Sequence, residues 1–453
     1  MSDRRIPFGP TYDEMARPEL IEPSIRESAI KKLHEDELDP VNLFNITWKG
    51  KNNEVRKVIF PRELTGLDVN IIVLIGRDFP SGSHKVGSVY TTLIEACVDG
   101  ELDLDTQTVL GPSTGNFGIG VAYISNLLDC DAVVIMPDNM SKERYDRIRR
   151  YGAGLDLTPG TESDVILTLQ RTHALMKDPK NFSLAQFELL PNYRFHRHVT
   201  GSAAVEAAKD IGNGRVACFV SAPGSGGTLG AGDHIKSIYP DSKVIAVEPY
   251  ECSTLSSGGL GQHRIEGIGD KMCTLVHNVL NTDFVITVSD EECVRALKVI
   301  QDGPAVLEKF GMKREVAESM KGLFGISTMC NVIGAVRMAR YLKLGPNENI
   351  VTVATDGFDR YESVLVNLEK RCLEITDHVM ERWVRDIFSK QNYSYVCDFR
   401  SMAAKERLFA QKEKDWLPFE YSIDYLNSMR SQQFWEDEYS KVYSYNEKIS
   451  KMR

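Results

Sequence analysis

From about residue 69 onward, short apolar runs alternate with segments of helical periodicity. Most of these runs are rich in Val and Ile and lack polar alternation, which is typical of strands buried on both faces of a parallel sheet. Repeated strand-then-helix units predict an α/β fold with doubly wound parallel sheets and right-handed crossovers. The predicted strands are Val69–Ile75, Thr108–Leu110, Ala132–Met136, Val216–Val220, Val244–Val247, Phe284–Val288 and Ile350–Ala354.

Three predicted strand-to-helix loops carry polar residues, and ligands of such folds bind in loops of this kind. The first contains Ser83-His84-Lys85, the second is GPSTGNFG at 111–118, and the third is SAPGSGGTLG at 221–230. After Lys85, apolar residues recur at helical spacing, and Gly100 is the expected end of that helix.

The third loop predicts a phosphate site. Its glycines let backbone N–H groups converge on an anion, its hydroxyls add donors, and the following helix presents its N-terminus. A dinucleotide site is the competing hypothesis, with Glu248 as the ribose-binding acid, although the spacing is not G-x-G-x-x-G. The third hypothesis is that this loop is a tight turn with a purely structural role. The predicted cradle consists of Gly224, Ser225, Gly226, Gly227 and Thr228.

The other two loops each allow two interpretations. Asn116 stands at a helix start, where it would bind a carboxylate or phenolic oxygen or belong to a tight turn. Lys85 alone would be a solvated charge, but beside a buried strand end its pKa would fall, which favours Schiff-base chemistry. Pyridoxal phosphate uses all three loops, because it has an aldehyde and a phosphate and binds an amino acid carboxylate.

In this order, the three loops resemble the fold-type II pyridoxal phosphate enzymes, the family of cysteine synthase and the tryptophan synthase β chain. The resemblance covers roughly residues 65–365 and implies two doubly wound parallel-sheet domains with the cofactor between them. Further segments that resemble the family are MPDNMSKERYDRIRRYGAGL at 136–155, AQF at 185–187, EGIG at 266–269 and TDGFDRY at 355–361.

The resemblance also implies residue roles. Lys85 would carry the Schiff base and act as the catalytic base, while Thr355 would meet the pyridine nitrogen unless the alignment shifts by one residue to Asp356. The other implied cofactor contacts are His84 near the phosphate, Asn116 at the phenolic oxygen, residues 224–228 around the phosphate and Gly267 beside the ring. The substrate carboxylate is expected at Ser113, Thr114, Gly115 and Gln186.

The family chemistry implied is replacement at the β-carbon of a small amino acid, as in cysteine synthase. β-Elimination of the ammonia-lyase or desulfhydrase type is an alternative, as is a catalytic β subunit that works with a separate partner. Phe117 stands where relatives often have a hydroxyl residue, which indicates a different substrate pocket. A nucleotide-binding protein or a non-catalytic relative is the alternative of another class.

The domain organisation follows from the same patterns. We expect an N-terminal extension at 1–45, a larger α/β cofactor domain from 46–80 with 201–370, and a smaller α/β domain at 81–200 with the lysine and the substrate loop. Residues 371–453 predict a helical C-terminal extension. Its many aromatic side chains should pack on the body or on another subunit, so a homodimer or larger assembly is expected.

Composition narrows the partners and the compartment. The net charge of −10 argues against nucleic acid, and the sequence has no apolar run long enough to span a membrane. The nine scattered cysteines suit a cytoplasmic protein. No metal site is predicted, because His196 and His198 lack a third ligand and read as satisfied polar histidines. The charge run at 142–150 predicts a solvated helix face that could also guide an anionic substrate.

Overall fold

The computed structural model describes residues 8–113, 115–372, 374–389 and 395–453. Eleven strands lie within these residues. In chain order they are β1 (Lys57–Ile59), β2 (Asn70–Ile75), β3 (Thr108–Pro112), β4 (Ala132–Pro137), β5 (Gly154–Thr158), β6 (Asn181–Ser183), β7 (Val216–Ser221), β8 (Lys243–Pro249), β9 (Phe284–Val288), β10 (Asn349–Ala354) and β11 (Val396–Asp398).

Twenty α-helices surround these strands within the described residues. They are α1 (Tyr12–Ala16), α2 (Pro23–Glu35), α3 (Arg62–Thr65), α4 (Lys85–Asp99), α5 (Asn116–Leu127), α6 (Lys142–Arg150), α7 (Val165–Leu175), α8 (Pro191–Phe195), α9 (Gly201–Ala208), α10 (Gly230–Ile238), α11 (Thr254–Ser257), α12 (Asp290–Asp302), α13 (Pro304–Lys309), α14 (Arg314–Ser319), α15 (Ile326–Leu342), α16 (Glu362–Arg371), α17 (Asp377–Val384), α18 (Met402–Trp416), α19 (Ile423–Ser428) and α20 (Gln432–Met452).

The strands form two sheets. The larger has the order β1-β2-β10-β7-β8-β9-β11, in which only the edge strands β1 and β11 run antiparallel to their neighbours. The smaller has the order β5-β4-β3-β6 and is parallel throughout. This architecture confirms the predicted α/β fold with two parallel sheets. The strands of the smaller sheet all lie within 81–200, although the domain boundaries themselves stay a prediction.

All seven predicted strands are present, with ends that differ by at most two residues. The four strands that the pattern missed are β1, β5, β6 and β11, and each is an edge strand. Three of the four are only three residues long, and all are partly exposed. A half-exposed edge strand needs no continuous apolar run, so its sequence carries little of the signal that identifies a buried strand.

The C-terminal extension packs on the body of the same chain. Trp383, Trp416 and Trp435 are all buried, which confirms that these aromatic side chains pack on the body. Because these rings are covered within the chain, they no longer argue for a second subunit. The predicted helical C-terminal extension is confirmed by α17 to α20, and it also contains the short strand β11, which pairs with β9.

Helix α18 of this extension supports a segment that borders the glycine loop. The buried Lys412 ammonium donates to the carbonyl oxygens of Leu275 and His277, at 3.1 and 2.7 Å. Trp416 Nε1 donates to the carbonyl of Cys273 at 2.8 Å. The extension therefore fixes the backbone at 273–277.

Candidate active site

Lys85 is the first residue of α4 and is buried, with a relative exposure of 7%. Its Nζ lies 3.3 Å from Gln186 Oε1 and 3.4 Å from Ser225 Oγ. Burial lowers the pKa of Lys85 to about 8, although the nearby carboxylates of Asp270 and Glu162 act in the opposite direction. A solvated surface lysine is thus excluded, and the amine is unusually easy to deprotonate.

The glycine loop follows β7 and leads through a short 3-10 turn, Gly227–Leu229, into α10. Gly226 has a φ of +85°, and a Cβ there would come within 2.7 Å of Thr274 Oγ1. A Cβ at Gly227 would collide with the carboxamide of Asn192. Ser225 Oγ accepts from Asn192 Nδ2 at 2.9 Å. The loop therefore requires glycine at both positions, while Ser225 reaches towards the lysine.

His84 lies deep beside the lysine. Its ring stands 5.3 Å from that of Trp48 and 5.1 Å from that of His196, centroid to centroid. Burial lowers its pKa well below the ordinary value, so the ring is neutral at pH 7. Neither ring nitrogen has a hydrogen-bond partner among the described residues. Its predicted position near a phosphate stays a prediction, but the ring does offer an unused donor.

The second loop is organised by Ser113. Its Oγ accepts from the backbone N–H groups of Gly115 and Gly118, both at 2.9 Å, which turns the chain into α5. A Cβ at Gly115 would come within 2.5 Å of Arg144 Nε, so this position also needs glycine. Thr114, which was also predicted to contact the substrate carboxylate, lies outside the described residues.

Asn116 and Asp356 meet at the start of α5. Asn116 Nδ2 donates to Asp356 Oδ2 at 2.6 Å, and the Tyr361 hydroxyl donates to the same oxygen at 2.7 Å. Asp356 is fully buried, and its Oδ1 has no partner in the described part of the chain. Thr355 is only half-buried, and its carbonyl accepts from the His84 N–H at 3.3 Å.

Arg144 corrects one expectation from the sequence. The charge run at 142–150 was expected to form a solvated helix face, yet Arg144 is completely buried. Its guanidinium forms an ion pair with Glu266 and donates to Ser141 Oγ at 2.7 Å and the Tyr361 hydroxyl at 3.2 Å. Arg144 and Ile148 lie four residues apart on the same face of α6 and both are buried, but the charge run alone does not mark that face as the inward one.

Asp270 is a site residue that the sequence analysis missed. It is buried and close enough to Lys85 to influence its pKa, and its Oδ2 has no hydrogen-bond partner among the residues that are described. Burial, together with the nearby Glu162, raises the pKa of Asp270 well above its ordinary value. The one available signal was its place directly after the EGIG turn at 266–269.

One cavity brings most of the predicted residues together. It is lined by Lys85, Ser113, Gly115, Asn116, Phe117, Gln186, Phe187, Gly224, Ser225, Gly267 and Asp270. Gly226, Gly227 and Thr228 continue the loop behind it, whereas His84 and Thr355 do not line it. The cavity thus offers an amine, amide groups and a glycine loop, and Asn116 Oδ1 and Asp270 Oδ2 lack partners in the described chain. This donor and acceptor set fits pyridoxal phosphate.

Glu248 does not behave as a ribose-binding acid. Its carboxylate accepts from the backbone N–H groups of Leu255 and Ser256, both at 2.8 Å, and from the Ser256 hydroxyl. It therefore caps α11, and the dinucleotide hypothesis loses the acid on which it depended. His196 and His198 are hydrogen-bonded as expected, and no cluster of metal-ligating residues occurs within the described ranges.

The comparison with known families is decisive for the class of protein. Residues 76–356 match the family described as pyridoxal-phosphate dependent enzyme. This chain belongs to that family. It is accordingly a pyridoxal-phosphate-dependent enzyme, and the cofactor predicted from the three loops is confirmed, as is the fold-type II resemblance.

Individual relatives show which enzymes of this family the chain is similar to. Cysteine synthase B of Campylobacter jejuni is 31% identical over 285 residues, which are 63% of this chain and 87% of that protein. A hydrogen sulfide-producing enzyme from Fusobacterium nucleatum is 28% identical with a TM-score of 0.58, covering 72% of this chain and 91% of that one. O-acetylserine sulfhydrylase isoform 3 from Entamoeba histolytica, at 24% identity and a TM-score of 0.61, shares the fold over 77% of this chain and 96% of its own.

Proposed function

We propose that this enzyme catalyses β-replacement on a small amino acid, with O-acetylserine as acceptor substrate and sulfide as nucleophile. The observation that carries the proposal is the buried Lys85, whose amine faces Gln186 and Ser225 within the common cavity. Support comes from the cysteine synthases among the relatives and from the matching family. In this reaction the bond from the β-carbon to oxygen breaks and a bond from the β-carbon to sulfur forms.

Each residue would contribute one part of this chemistry. When bound, the cofactor supplies an electron sink that stabilises negative charge at the α-carbon. Lys85 Nζ would remove the α-proton and later return it, acting as general base and acid. Ser113, Thr114, Gly115 and the Gln186 amide would orient the substrate carboxylate, and Asn116 would bond the phenolic oxygen of the cofactor. Residues 224–228 would hold the phosphate with backbone N–H groups at the start of α10.

The pKa of Lys85 gives a pH prediction for the apoenzyme. Only the neutral amine attacks an aldehyde, and burial lowers the Lys85 pKa to about 8. We expect the rate of reconstitution with pyridoxal phosphate to rise with pH and level off above about 8. Stopped-flow absorbance measures this rate. A rate that still rises steeply at pH 10 would show that the lysine has an ordinary pKa.

We further propose that Asp270 donates a proton to the departing group at the β-carbon. Asp270 lines the cavity, and burial together with Glu162 raises its pKa well above the ordinary value, while the Lys85 cation lowers it. The net shift favours the acid form that a proton donor needs, and this form is lost as the pH rises through that pKa. Asp270→Asn should slow turnover of serine, whose hydroxyl needs a proton to leave, by about 100-fold. Turnover of O-acetylserine, whose acetate leaves as an anion, should change much less.

Steady-state kinetics with both substrates would check this assignment. Asp233→Asn is the matched control, because Asp233 is also buried with a raised pKa but bonds Tyr193 and Asn278. The control should lower the melting temperature without changing the ratio of the two rates. Equal losses on serine and O-acetylserine in Asp270→Asn would contradict proton donation.

For the pyridine nitrogen we propose Asp356 rather than Thr355. The Asp356 carboxylate is buried against Asn116, the residue implied at the phenolic oxygen, and retains an oxygen without a partner in the described chain. A carboxylate there would keep the ring nitrogen protonated and strengthen the electron sink. Asp356→Asn should lower turnover by about 100-fold and Thr355→Val by much less.

Nitrogen-15 NMR of enzyme loaded with ¹⁵N-labelled cofactor reads the protonation state directly. The nitrogen should be protonated in the wild type and in Thr355→Val, and unprotonated in Asp356→Asn. An unprotonated wild-type nitrogen would instead restore the neutral Thr355 hydroxyl as its partner.

Assembly and compartment remain inferences. We infer a homodimer, as an expectation from the family, and a cytoplasmic location, which suits the nine free thiols. No helix in the described ranges is long and apolar enough to cross a membrane. The alternative is that this chain is the catalytic β subunit of a two-component enzyme with a separate partner, and light scattering of the purified chain distinguishes monomer from dimer.

The proposed reaction is tested by product analysis. Purified enzyme with O-acetylserine and sulfide should form cysteine, detected by mass spectrometry. The alternative, β-elimination, has less support, which comes from the hydrogen sulfide-producing enzymes among the similar structures. It predicts pyruvate, ammonia and hydrogen sulfide from cysteine and water, without an added nucleophile. Cysteine formation at a rate well above pyruvate formation supports replacement, and the reverse order supports elimination.

A further inference from the structure

A cavity of about 740 Å³ lies between the N-terminal helix α2 and the body of the protein, apart from the cofactor site. Its volume is in the range of sites for small metabolites. Ile30 and Leu33 of α2 form part of one wall, and Phe79, Tyr123 and Tyr151 contribute apolar surface from the body. None of the residues given a role in the proposed reaction lines it.

The walls of this cavity are strongly cationic. The cationic lining residues other than His34 are Arg26, Lys49, Lys51, Arg56, Arg77, Arg147 and Arg150, whereas the acidic ones are Glu37 and Asp78. The protein as a whole carries a net charge of −10, so this concentration of positive charge is opposite to the general composition. A concave cationic surface of this kind focuses the electrostatic field and attracts anions.

Arg26 is buried and Arg56 is partly buried, and neither has a carboxylate hydrogen-bonded to it. Arg26 donates to the Phe44 carbonyl, to Asn45 Oδ1 and to the Gly50 carbonyl, at 3.2, 3.1 and 3.2 Å. Arg56 donates to the carbonyl oxygens of Thr47 and Asp78. The Nε of each has no partner within the part of the chain that is described. Burying a cation is costly unless an opposite charge compensates it.

The two guanidinium groups also repel each other. Burial and the charge of Arg26 lower the pKa of Arg56 to about 10, although Asp78 acts in the opposite direction. Burial likewise lowers the pKa of Arg26, and the Glu19 carboxylate raises it. Other cations of the cavity differ, because Arg147 pairs with Asp359 at 2.8 Å and Arg150 pairs with Glu37. Arg26 and Arg56 are therefore the cations of this cavity that have a carboxylate nearby, Glu19 and Asp78 respectively, but no ion pair with it.

We propose that this cavity binds a small phosphate-bearing metabolite of nucleotide size, with its phosphate at Arg26 and Arg56. Guanidinium groups match phosphate oxygens in geometry as well as charge, and a dianion would compensate both cations. The apolar side chains at the walls would accommodate the organic part. The ligand would contact α2, the segment after it and the 77–82 loop, which leads directly to Lys85.

The test uses isothermal titration calorimetry on the full-length holoenzyme, with AMP, ATP, inorganic phosphate and adenosine as probes. We expect AMP or ATP to bind and adenosine not to bind. The affinity for the nucleotide should fall at least tenfold between roughly 50 and 500 mM salt, because salt screens the attraction between charges. Binding of inorganic phosphate equal to that of the nucleotides would assign the site to the phosphate group alone, and the claim of nucleotide size would be overturned.

Substitutions assign the binding to this cavity. Arg56→Gln and Arg26→Gln should each weaken the affinity at least tenfold. Because Arg26 is buried and Arg56 partly buried, their replacement could disturb the fold, so Lys51→Gln provides a second test at an exposed position. The loss of this one charge should weaken the affinity about threefold. Arg215→Gln removes an exposed charge outside the cavity and should leave the affinity unchanged. Melting temperatures without ligand show whether each variant folds.

Two outcomes would overturn the proposal. One is the absence of binding by every probe at millimolar concentration in low salt. The other is a change from dimer to monomer in Arg56→Gln without anion binding by the wild type, which would assign the cavity to a contact between two copies. Neither outcome bears on the β-replacement chemistry, because cysteine formation is measured separately.

Discussion

Replacement of Lys85 by alanine should lower β-replacement at least about 1000-fold and remove the visible absorption of the bound cofactor. The expectation rests on the position of the amine, which is buried in the cavity and lies within 3.4 Å of Ser225 Oγ. Lys85 alone among the cavity-lining residues carries an amine. Absorption spectra and an assay for cysteine measure the two effects.

Lys85→Arg is the matched control for this substitution. Arginine keeps the positive charge and much of the side-chain volume, but its guanidinium stays protonated and forms no Schiff base. We expect Lys85→Arg to be as inactive as Lys85→Ala. Substantial activity in either variant would show that another group removes the α-proton.

Replacement of Gly226 by alanine should weaken the binding of pyridoxal phosphate about 100-fold, equivalent to about 2.7 kcal/mol. Gly226 has a φ of +85°, and the added Cβ would approach Thr274 Oγ1 to 2.7 Å. The backbone N–H groups of the loop would have to shift, and phosphate binding depends on their convergence. Fluorescence titration of the apoenzyme gives the affinity.

Gly258→Ala separates the loss of the cradle from general backbone strain. Gly258 also has a positive φ, +71°, but a Cβ there would have no atom within 4 Å. This control should cost about 1 kcal/mol of folding free energy and leave cofactor affinity unchanged. If Gly226→Ala binds the cofactor as tightly as Gly258→Ala, residues 224–228 do not hold the phosphate.

The sequence predicted the interior of the fold better than its edges. Strands such as β2 and β10 are buried on both faces, and their sequences are therefore mostly apolar and lack polar alternation. Edge strands such as β5 and β11 have exposed residues, and their pairing depends on the neighbouring strand rather than on their own composition. No local pattern in the sequence specifies that dependence.

The candidate site shows a similar division. Lys85 and the glycine loop were predictable because each follows a buried strand and has a composition that chemistry requires. Asp270 and Arg144 were not, because their roles depend on burial and on distant contacts. Arg144, for example, packs on Gly115 and pairs with Glu266, two residues brought to it only by the tertiary fold. A charge run on a helix does not indicate which of its members points inward.

The most direct measurement is borohydride reduction of the holoenzyme followed by peptide mapping with mass spectrometry. Reduction makes the bond between lysine and cofactor permanent, so the modified peptide identifies the lysine. The informative rival is Lys412, which is also buried with a pKa lowered to about 8, but which donates to backbone carbonyls beside the glycine loop. We predict the phosphopyridoxyl group on Lys85. Its presence on Lys412, or a protein that acquires no such group, would contradict the account.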